Sequence, residues 1–439
     1  MFFKKHSFDG GVKIAALKGL TENKEITKIA APGLVVLPLT MHIGAPTKAL
    51  VQKGDRVLRG QKIAAAQGMV SANVHASISG TVIGIEKRWL PNGVKSDCII
   101  IKNDFTGCAI SADPQSINNL TGDEIRHLLA GYGLTGMGGA SFPTHVKYLP
   151  PKNGSIDTVI LNGIECEPYI TADYRTMLEN PQEVIRGLQY FMKASDAPQG
   201  IIAIEDNKPQ AIELLKKLLT ANANIRVIPC PEKYPQGSEK QLIKAVTGRI
   251  VPDRGLPANV GVIVDNVSTA MQAARSIESG MPFVDRVVTV SGSAVANPGN
   301  FLAPLGTLYS HIVQTAAHGF IKPPAQIICG GPMMGFALQS LDYPVTKGSN
   351  ALLCFDKDQT ASELHPASPC VRCGKCVDHC PMFLEPTEIM RYIRQNNISA
   401  LQGFSAYSCI ECGTCAYVCP AHIPLVQYLR LAKQLLAER

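Results

Sequence analysis

The chain has 439 residues, 46% of them hydrophobic, and a formal net charge of +7. That length predicts about three or four domains with ample material for cores. The small basic excess argues against a nucleic-acid-binding face, and no apolar run approaches the roughly 18 residues of a membrane span, so membrane association is expected to be peripheral. The opening Met-Phe-Phe-Lys-Lys-His-Ser lacks the apolar core of a signal peptide. Of fourteen cysteines, Cys98, Cys108, Cys166, Cys230, Cys329 and Cys354 are scattered without framework spacing, which predicts a reducing compartment rather than a disulfide scaffold.

Residues 1–110 read as short strands and turns. Pro38, Pro46, Gly54, Gly60 and Gly80 punctuate apolar runs such as 34–37 and 98–101. Val51-Gln-Lys-Gly-Asp-Arg-Val57 and Ile78-Ser-Gly-Thr-Val-Ile-Gly84 resemble the paired hairpin halves of a biotinyl/lipoyl-like barrel-sandwich domain. The corresponding turn, Ala72-Asn-Val-His75-Ala, carries no lysine for a prosthetic group, so a structural docking module is expected.

Residues 121–280 alternate strand-like runs (158–161, 201–204, 225–228, 260–264) with amphipathic helical stretches (209–219, 239–246). This alternation predicts a parallel, doubly wound, Rossmann-like sheet, whose ligand lies beyond the carboxyl ends of the strands. Residues 285–350 return to strands at 286–291 and 327–335, and 351–369 read as a Pro/Ser-bearing linker. The final module, 365–439, is expected to be helical, with Pro-first starts and 3–4 apolar spacing at 386–394 and again at 425–436. The fold class is therefore multidomain α/β.

That last module holds Cys370-x2-Cys373-x2-Cys376-x3-Cys380-Pro381 and Cys409-x2-Cys412-x2-Cys415-x3-Cys419-Pro420. Three thiolates at this spacing wrap three corners of one [4Fe–4S] cubane, and the distal Cys-Pro serves the other cluster. Cys370, Cys373, Cys376 and Cys419 are thus one expected ligand set; Cys409, Cys412, Cys415 and Cys380 are the other. Structural zinc uses four ligands, usually in two separated pairs, and accounts poorly for a repeated triplet.

A second informative stretch is Gly131-Tyr-Gly-Leu-Thr-Gly136-Met-Gly138-Gly139-Ala-Ser-Phe142-Pro143-Thr-His-Val-Lys147. Without Cβ atoms, its amides can lie against a phosphate or an aromatic ring, with Lys147 as a nearby charge. Polar residues also follow the other strands, at Asn162-Gly-Ile-Glu165-Cys-Glu167, Tyr234-Pro-Gln-Gly237-Ser-Glu239 and Asp265-Asn266-Val-Ser-Thr269. Solvated turns and helix N-caps at Ser238 and Thr269 are the plain alternative.

The glycine stretch from Gly136 to Lys147 resembles the flavin loop of the NADH-oxidising subunit of respiratory complex I, and the three polar segments match that family's other flavin and nicotinamide segments in the same order. Val290-Ser-Gly-Ser and Asn297-Pro-Gly are similar to its β-grasp, SLBB-like module. The barrel-like N-terminus and the second cluster motif depart from that subunit. With them the whole chain resembles the RnfC (RsxC) family of the Rnf ion-translocating ferredoxin:NAD oxidoreductase complexes, as do Phe8-Asp-Gly-Gly-Val and Ile250-Val-Pro-Asp-Arg-Gly-Leu-Pro257.

The resemblance implies non-covalent FMN held by Gly136, Gly138, Gly139 and Lys147. Asn162, Glu165, Asn266 and Thr269 would line it, and Tyr234 and Gly237 would flank it. Phe142, Glu167 and Glu239 would meet NAD(H), with Glu167 in a catalytic role. It further implies a partner iron–sulfur subunit and a peripheral position on the cytoplasmic face of the bacterial inner membrane. Complex I has an arginine at the place of Met137 and acids at those of Ile164 and Ser238, which touches the nucleotide contacts most. A non-catalytic iron–sulfur adaptor with a vestigial flavin site is one rival reading. The flavin subunit of an NAD-linked hydrogenase or formate dehydrogenase is another. Anaerobically purified protein is expected to contain about eight iron atoms per chain, and Cys380→Ser should disturb the cluster of the second triplet rather than that of its own; stoichiometric zinc with little iron would overturn the reading.

Overall fold

The computed structural model describes residues 6–151, 154–220, 222–361 and 366–438. Most of the opening 1–7 stretch read for a signal core, and residue 365, where the cluster module was expected to begin, lie outside the described residues.

The N-terminal module is two small sheets facing one another. Leu34–Pro38, Lys95–Asn103, Gly80–Trp89 and Arg56–Val57 form one; Lys48–Ala49, Lys62–Ala65 and Val74–His75 form the other. Alternate residues Val35, Leu37, Ile63, Val82, Ile99 and Ile101 fill the space between them. His75, at the expected tip, is buried, and burial followed by the charge of Lys347 lowers its pKa to about 3. It is a core residue.

The central module is a four-stranded parallel sheet in the order Ile225–Cys230, Gln199–Glu205, Thr158–Gly163, Val262–Asn266. The chain winds outward in one direction for three strands and then returns to the other side of Thr158–Gly163. That reversal makes a topological switch point between Thr158–Gly163 and Val262–Asn266. Helices cover both faces, and Pro181–Ser195 and Val267–Ser279 approach so closely that a Cβ on Gly187 would lie 1.9 Å from the carbonyl oxygen of Ala270.

A six-stranded sheet follows: Ile26–Lys28, Gly299–Pro304, Asp285–Ser291, Ala351–Phe355, Gln326–Cys329, Phe336–Ala337. Here the linker expected at 351–369 is corrected. Ala351–Phe355 is buried along its whole length and pairs with both Asp285–Ser291 and Gln326–Cys329. Its unbroken apolar run is that of an interior strand; the Pro/Ser bias belongs to the residues after it.

In the C-terminal module the two cysteine blocks adopt one backbone conformation twice. Arg372 and Gly374 have positive φ, as do Glu411 and Gly413. A one-turn helix, Lys375–Asp378 or Thr414–Tyr417, carries the third cysteine of each block. Each block then leads into a longer helix, Pro386–Arg394 or Leu425–Ala437, and these pack on Leu384, Ile389, Leu401, Leu425 and Leu429.

Candidate functional site

At the switch point the strand ends meet as register partners, Asn162 beside Asn266. Asn266, rather than the expected Thr269, caps Val267–Ser279: its side chain accepts from the Ser268 amide at 2.9 Å, and Thr269 lies inside the helix. Ser238 is at an N-cap position but makes no capping bond. The Thr269 hydroxyl instead accepts from the Met137 amide at 2.9 Å, tying the glycine loop to that helix. Gly138 rests on Asn266, where a Cβ would come within 2.9 Å of the amide nitrogen. Asn162 Nδ2 donates to Gly237 O at 2.7 Å, and the Gly136 amide donates to Phe142 O at 2.9 Å to close the loop. The expected residues on four separate segments therefore converge.

Lys147 Nζ donates to Val264 O at 2.8 Å and lies 3.9 Å from Asp265 Oδ2. Burial raises the carboxyl of Glu239 beyond its ordinary value, and the Lys147 charge opposes this. Gln236, between Tyr234 and Gly237, is wholly buried, and among the described residues neither atom of its amide has a partner. Such an orphan amide next to Gly237 is a polar group that a bound ligand can satisfy.

The loop after Thr158–Gly163 is held unusually tightly. Glu165 and Tyr169 sit at φ of 52° and 68°, a region non-glycine residues seldom occupy. Two buried ammonium groups fasten it: Lys18 Nζ donates to the carbonyls of Glu165, Glu167 and Ile170 at 2.9, 3.0 and 2.5 Å, and Lys208 Nζ to that of Ile164 at 2.7 Å. The Glu165 carboxylate accepts from the amides of Asp173 and Tyr174, at the start of Ala172–Glu179. Glu167 accepts from the amides of Met333 and Met334 at 3.1 and 3.0 Å, so both its oxygens face the β-grasp module. Burial pushes both carboxyls up to about 7.

Cys380, Cys409, Cys412 and Cys415 line one small cavity whose other walls include Pro381, Leu384, Val426 and Leu429. Burial, and then Cys412, Cys409 and Cys380 as neighbours, raise the thiol of Cys415. Cys376 has Cys419 as its electrostatic neighbour, while Cys370 and Cys373 are exposed. The first block thus sends its last cysteine, Cys380, across to the three cysteines of the second. A [4Fe–4S] cubane takes one thiolate at each separated corner. The amides of Arg372 and Glu411 donate to Cys370 Sγ and Cys409 Sγ at 3.4 and 3.3 Å. The four buried or half-buried thiols fit a [4Fe–4S] cluster.

The buried phenol of Tyr234 donates to Cys412 O at 2.8 Å, and a Cβ on Gly413 would lie 2.9 Å from Met333 O. The loop of the second triplet therefore touches the crevice module and the β-grasp loop that Glu167 holds. Residues 8–18 close the joint: the Gly11 amide donates to His379 O, beside Cys380, and Val12 pairs with Tyr234 through both its amide and its carbonyl at 2.8 Å.

Four domain families match the chain in order: RnfC barrel sandwich hybrid at 6–106, Nuo51 FMN-binding at 129–275, SLBB at 287–337 and 4Fe-4S dicluster at 366–423. The corresponding subunit of the proton-translocating ferredoxin:NAD(+) oxidoreductase complex of Clostridium ljungdahlii is 44% identical over 87% of this chain and 83% of its own. That of the Na(+)-translocating complex of Acetobacterium woodii is 39% identical over 100% of this chain and 99% of its own. The chain belongs to the RnfC family. A third member, from Rhodobacter capsulatus, is 40% identical over 99% of this chain and 84% of its own. An NAD+-reducing [NiFe]-hydrogenase shares the fold, with a TM-score of 0.51 and 20% identity over 64% of this chain and 54% of that one. In this RnfC chain, FMN and [4Fe–4S] sites are therefore carried by modules of matching family.

Sequence reading missed Lys18, Lys208 and Asp173. Asp173 takes Asn266 Nδ2 and Ser268 Oγ on its two oxygens at 2.6 Å. None stands in a glycine or cysteine motif, and Lys18 meets its partners about 150 residues away. A carboxyl raised in the fold loses stability for the protein as pH climbs between its ordinary and its raised value. For Glu167 that window runs from 4.5 to about 7. Between pH of about 5.5 and about 7, wild type should therefore lose thermal stability relative to Glu167→Gln, with no further divergence above that. Anaerobic calorimetry checks this, and parallel curves would remove the titration from Glu167.

Proposed function

We propose that the chain is the electron-transfer subunit through which an ion-translocating ferredoxin:NAD oxidoreductase complex exchanges electrons with NAD(H). The carrying observation is the Tyr234 hydroxyl on Cys412 O, which joins the crevice module directly to the cavity of Cys380, Cys409, Cys412 and Cys415. Flavin chemistry converts two-electron hydride exchange into the one-electron steps of iron–sulfur clusters.

In this reading Gly136, Gly138, Gly139 and Lys147 hold the FMN phosphate. Asn162, Glu165, Asn266 and Thr269 line the flavin, and Tyr234 and Gly237 flank it. Phe142, Glu167 and Glu239 meet the nicotinamide nucleotide. Cys380, Cys409, Cys412 and Cys415 form the inner cluster site. Cys370, Cys373, Cys376 and Cys419 form the outer one, where exposed Cys370 and Cys373 are open to a partner iron–sulfur subunit. The modules divide at 1–110, 121–280, 285 to Phe355 and 365–439. Among the described residues no helix is long and apolar enough to cross a membrane, which supports peripheral attachment, placed here on the cytoplasmic face.

Lys147→Ala removes a charge-assisted hydrogen bond worth roughly 1.5–3 kcal/mol, so FMN affinity should fall about ten- to hundredfold at ~1.4 kcal/mol per decade; equilibrium dialysis measures it, and unchanged affinity would take the phosphate away from Lys147. Glu167→Gln should slow flavin bleaching by NADH in stopped flow, while FMN stays bound and both clusters remain reducible by dithionite. An unchanged bleaching rate would falsify the nicotinamide role of Glu167. Absence of bleaching in the wild-type protein, with flavin bound, would favour the adaptor reading.

A further inference from the structure

A cavity of about 320 Å³ lies where three modules meet, and of the glycine loop only Met137 lines it. None of the residues assigned above to the flavin or the nicotinamide nucleotide is in its wall. Arg59 comes from the barrel module, Gln272 and Arg275 from Val267–Ser279, and Asp285 and Arg286 from the first long strand of the β-grasp sheet.

The three guanidinium groups are not equivalent. Arg59 pairs with Asp285. Arg275 Nη2 is 3.0 Å from Glu183 Oε2 and also meets Asn180 Oδ1. Both keep about a third of their side chains exposed, at 32% and 36%. Arg286 is buried, with 1% exposure. Its Nε and Nη2 donate to Ser349 O and Met137 O, each at 2.6 Å, and among the described residues no carboxylate pairs with it and Nη1 has no partner. Asp173 is the nearest acid that acts on it, but both its oxygens are taken by Asn266 and Ser268. A buried guanidinium with only neutral partners is costly, and its planar fork matches a carboxylate. Much of the remaining wall is apolar, including Met271, Met281, Val287 and Leu302. The volume is at the small end of the ~300–1,000 Å³ of small-molecule sites.

We propose that this cavity is a second ligand site, for a small organic monoanion with one carboxylate on a compact apolar body, seated on Arg286. Because Arg59 and Arg275 already have acids of their own, one anionic group completes the charge. The site is coupled to the crevice through one residue: Arg286 holds the Met137 carbonyl while Thr269 holds the Met137 amide.

Isothermal titration of the intact, cluster-loaded chain with benzoate, benzamide and inorganic phosphate tests this. Benzoate should bind at millimolar concentration, and neutral benzamide and phosphate, which lacks the apolar body, at least tenfold more weakly. Arg286→Met should lower benzoate affinity more than tenfold. Should that variant fail to fold, Met281→Trp, which fills the cavity from a half-buried position, should do the same and decides the matter. No heat with benzoate, equal binding of benzamide, tighter binding of phosphate, or benzoate affinity unchanged in Met281→Trp would each overturn the proposal.

Discussion

One buried ammonium organises the redox region. Lys18 Nζ donates to three carbonyls of the loop that presents Glu165 and Glu167, two of them belonging to those acids themselves. The loop needs such a partner, because two of its residues lie in the left-handed region and its carbonyls turn inward. Burial lowers the pKa of Lys18 and the nearby Glu165 carboxyl opposes that, so lysine and acids form a mutually dependent buried set. Removing the ammonium would leave buried carbonyls unpaired, a loss greater than the modest net gain of making those bonds.

The same N-terminal segment also packs against the dicluster module. From Lys18 it runs back past Val12, paired with Tyr234, to Gly11 and Gly10 against His379 and Cys380. A Cβ on Gly10 would lie 2.8 Å from Cys380 O, and one on Gly11 2.5 Å from Tyr234 O. Both glycines also have positive φ. Two constraints, backbone conformation and close approach, thus coincide where the strap passes between the crevice module and the dicluster module. The Gln241 amide adds a second fastening to Pro381 O at 3.0 Å.

The two cysteine blocks are alike in backbone but not in surroundings. The loop of the second triplet is fastened by Arg430 and Lys433 on Glu411 and by Tyr234 on Cys412. The first leaves Cys370 and Cys373 at the surface, beside exposed Val371. Solvent exposure and hydrogen bonds to sulfur are among the levers that separate cluster potentials, so one repeated local structure is given two electrostatic settings by what packs against it.

What the chain determines by itself is what depends on short spacing. The cysteine triplets, the glycine loop and the Pro-first helices at Pro386–Arg394 and Leu425–Ala437 are written within a few residues of one another, and local geometry dictates them. The parallel sheet was legible from its alternating period, and the crevice from the rule that ligands lie beyond strand carboxyl ends. Tertiary structure alone decided that Ala351–Phe355 is an interior strand and that Asn266 takes the capping role. It also decided that Glu167 faces Met333 and Met334, that Lys18 and Lys208 fasten the acid loop, and that Arg286 is buried without a carboxylate. Each of these depends on a partner far along the chain or on a neighbouring module. A lysine or an arginine carries the same side chain whether it is solvated or buried; only packing removes the water and makes its hydrogen-bond partners decisive.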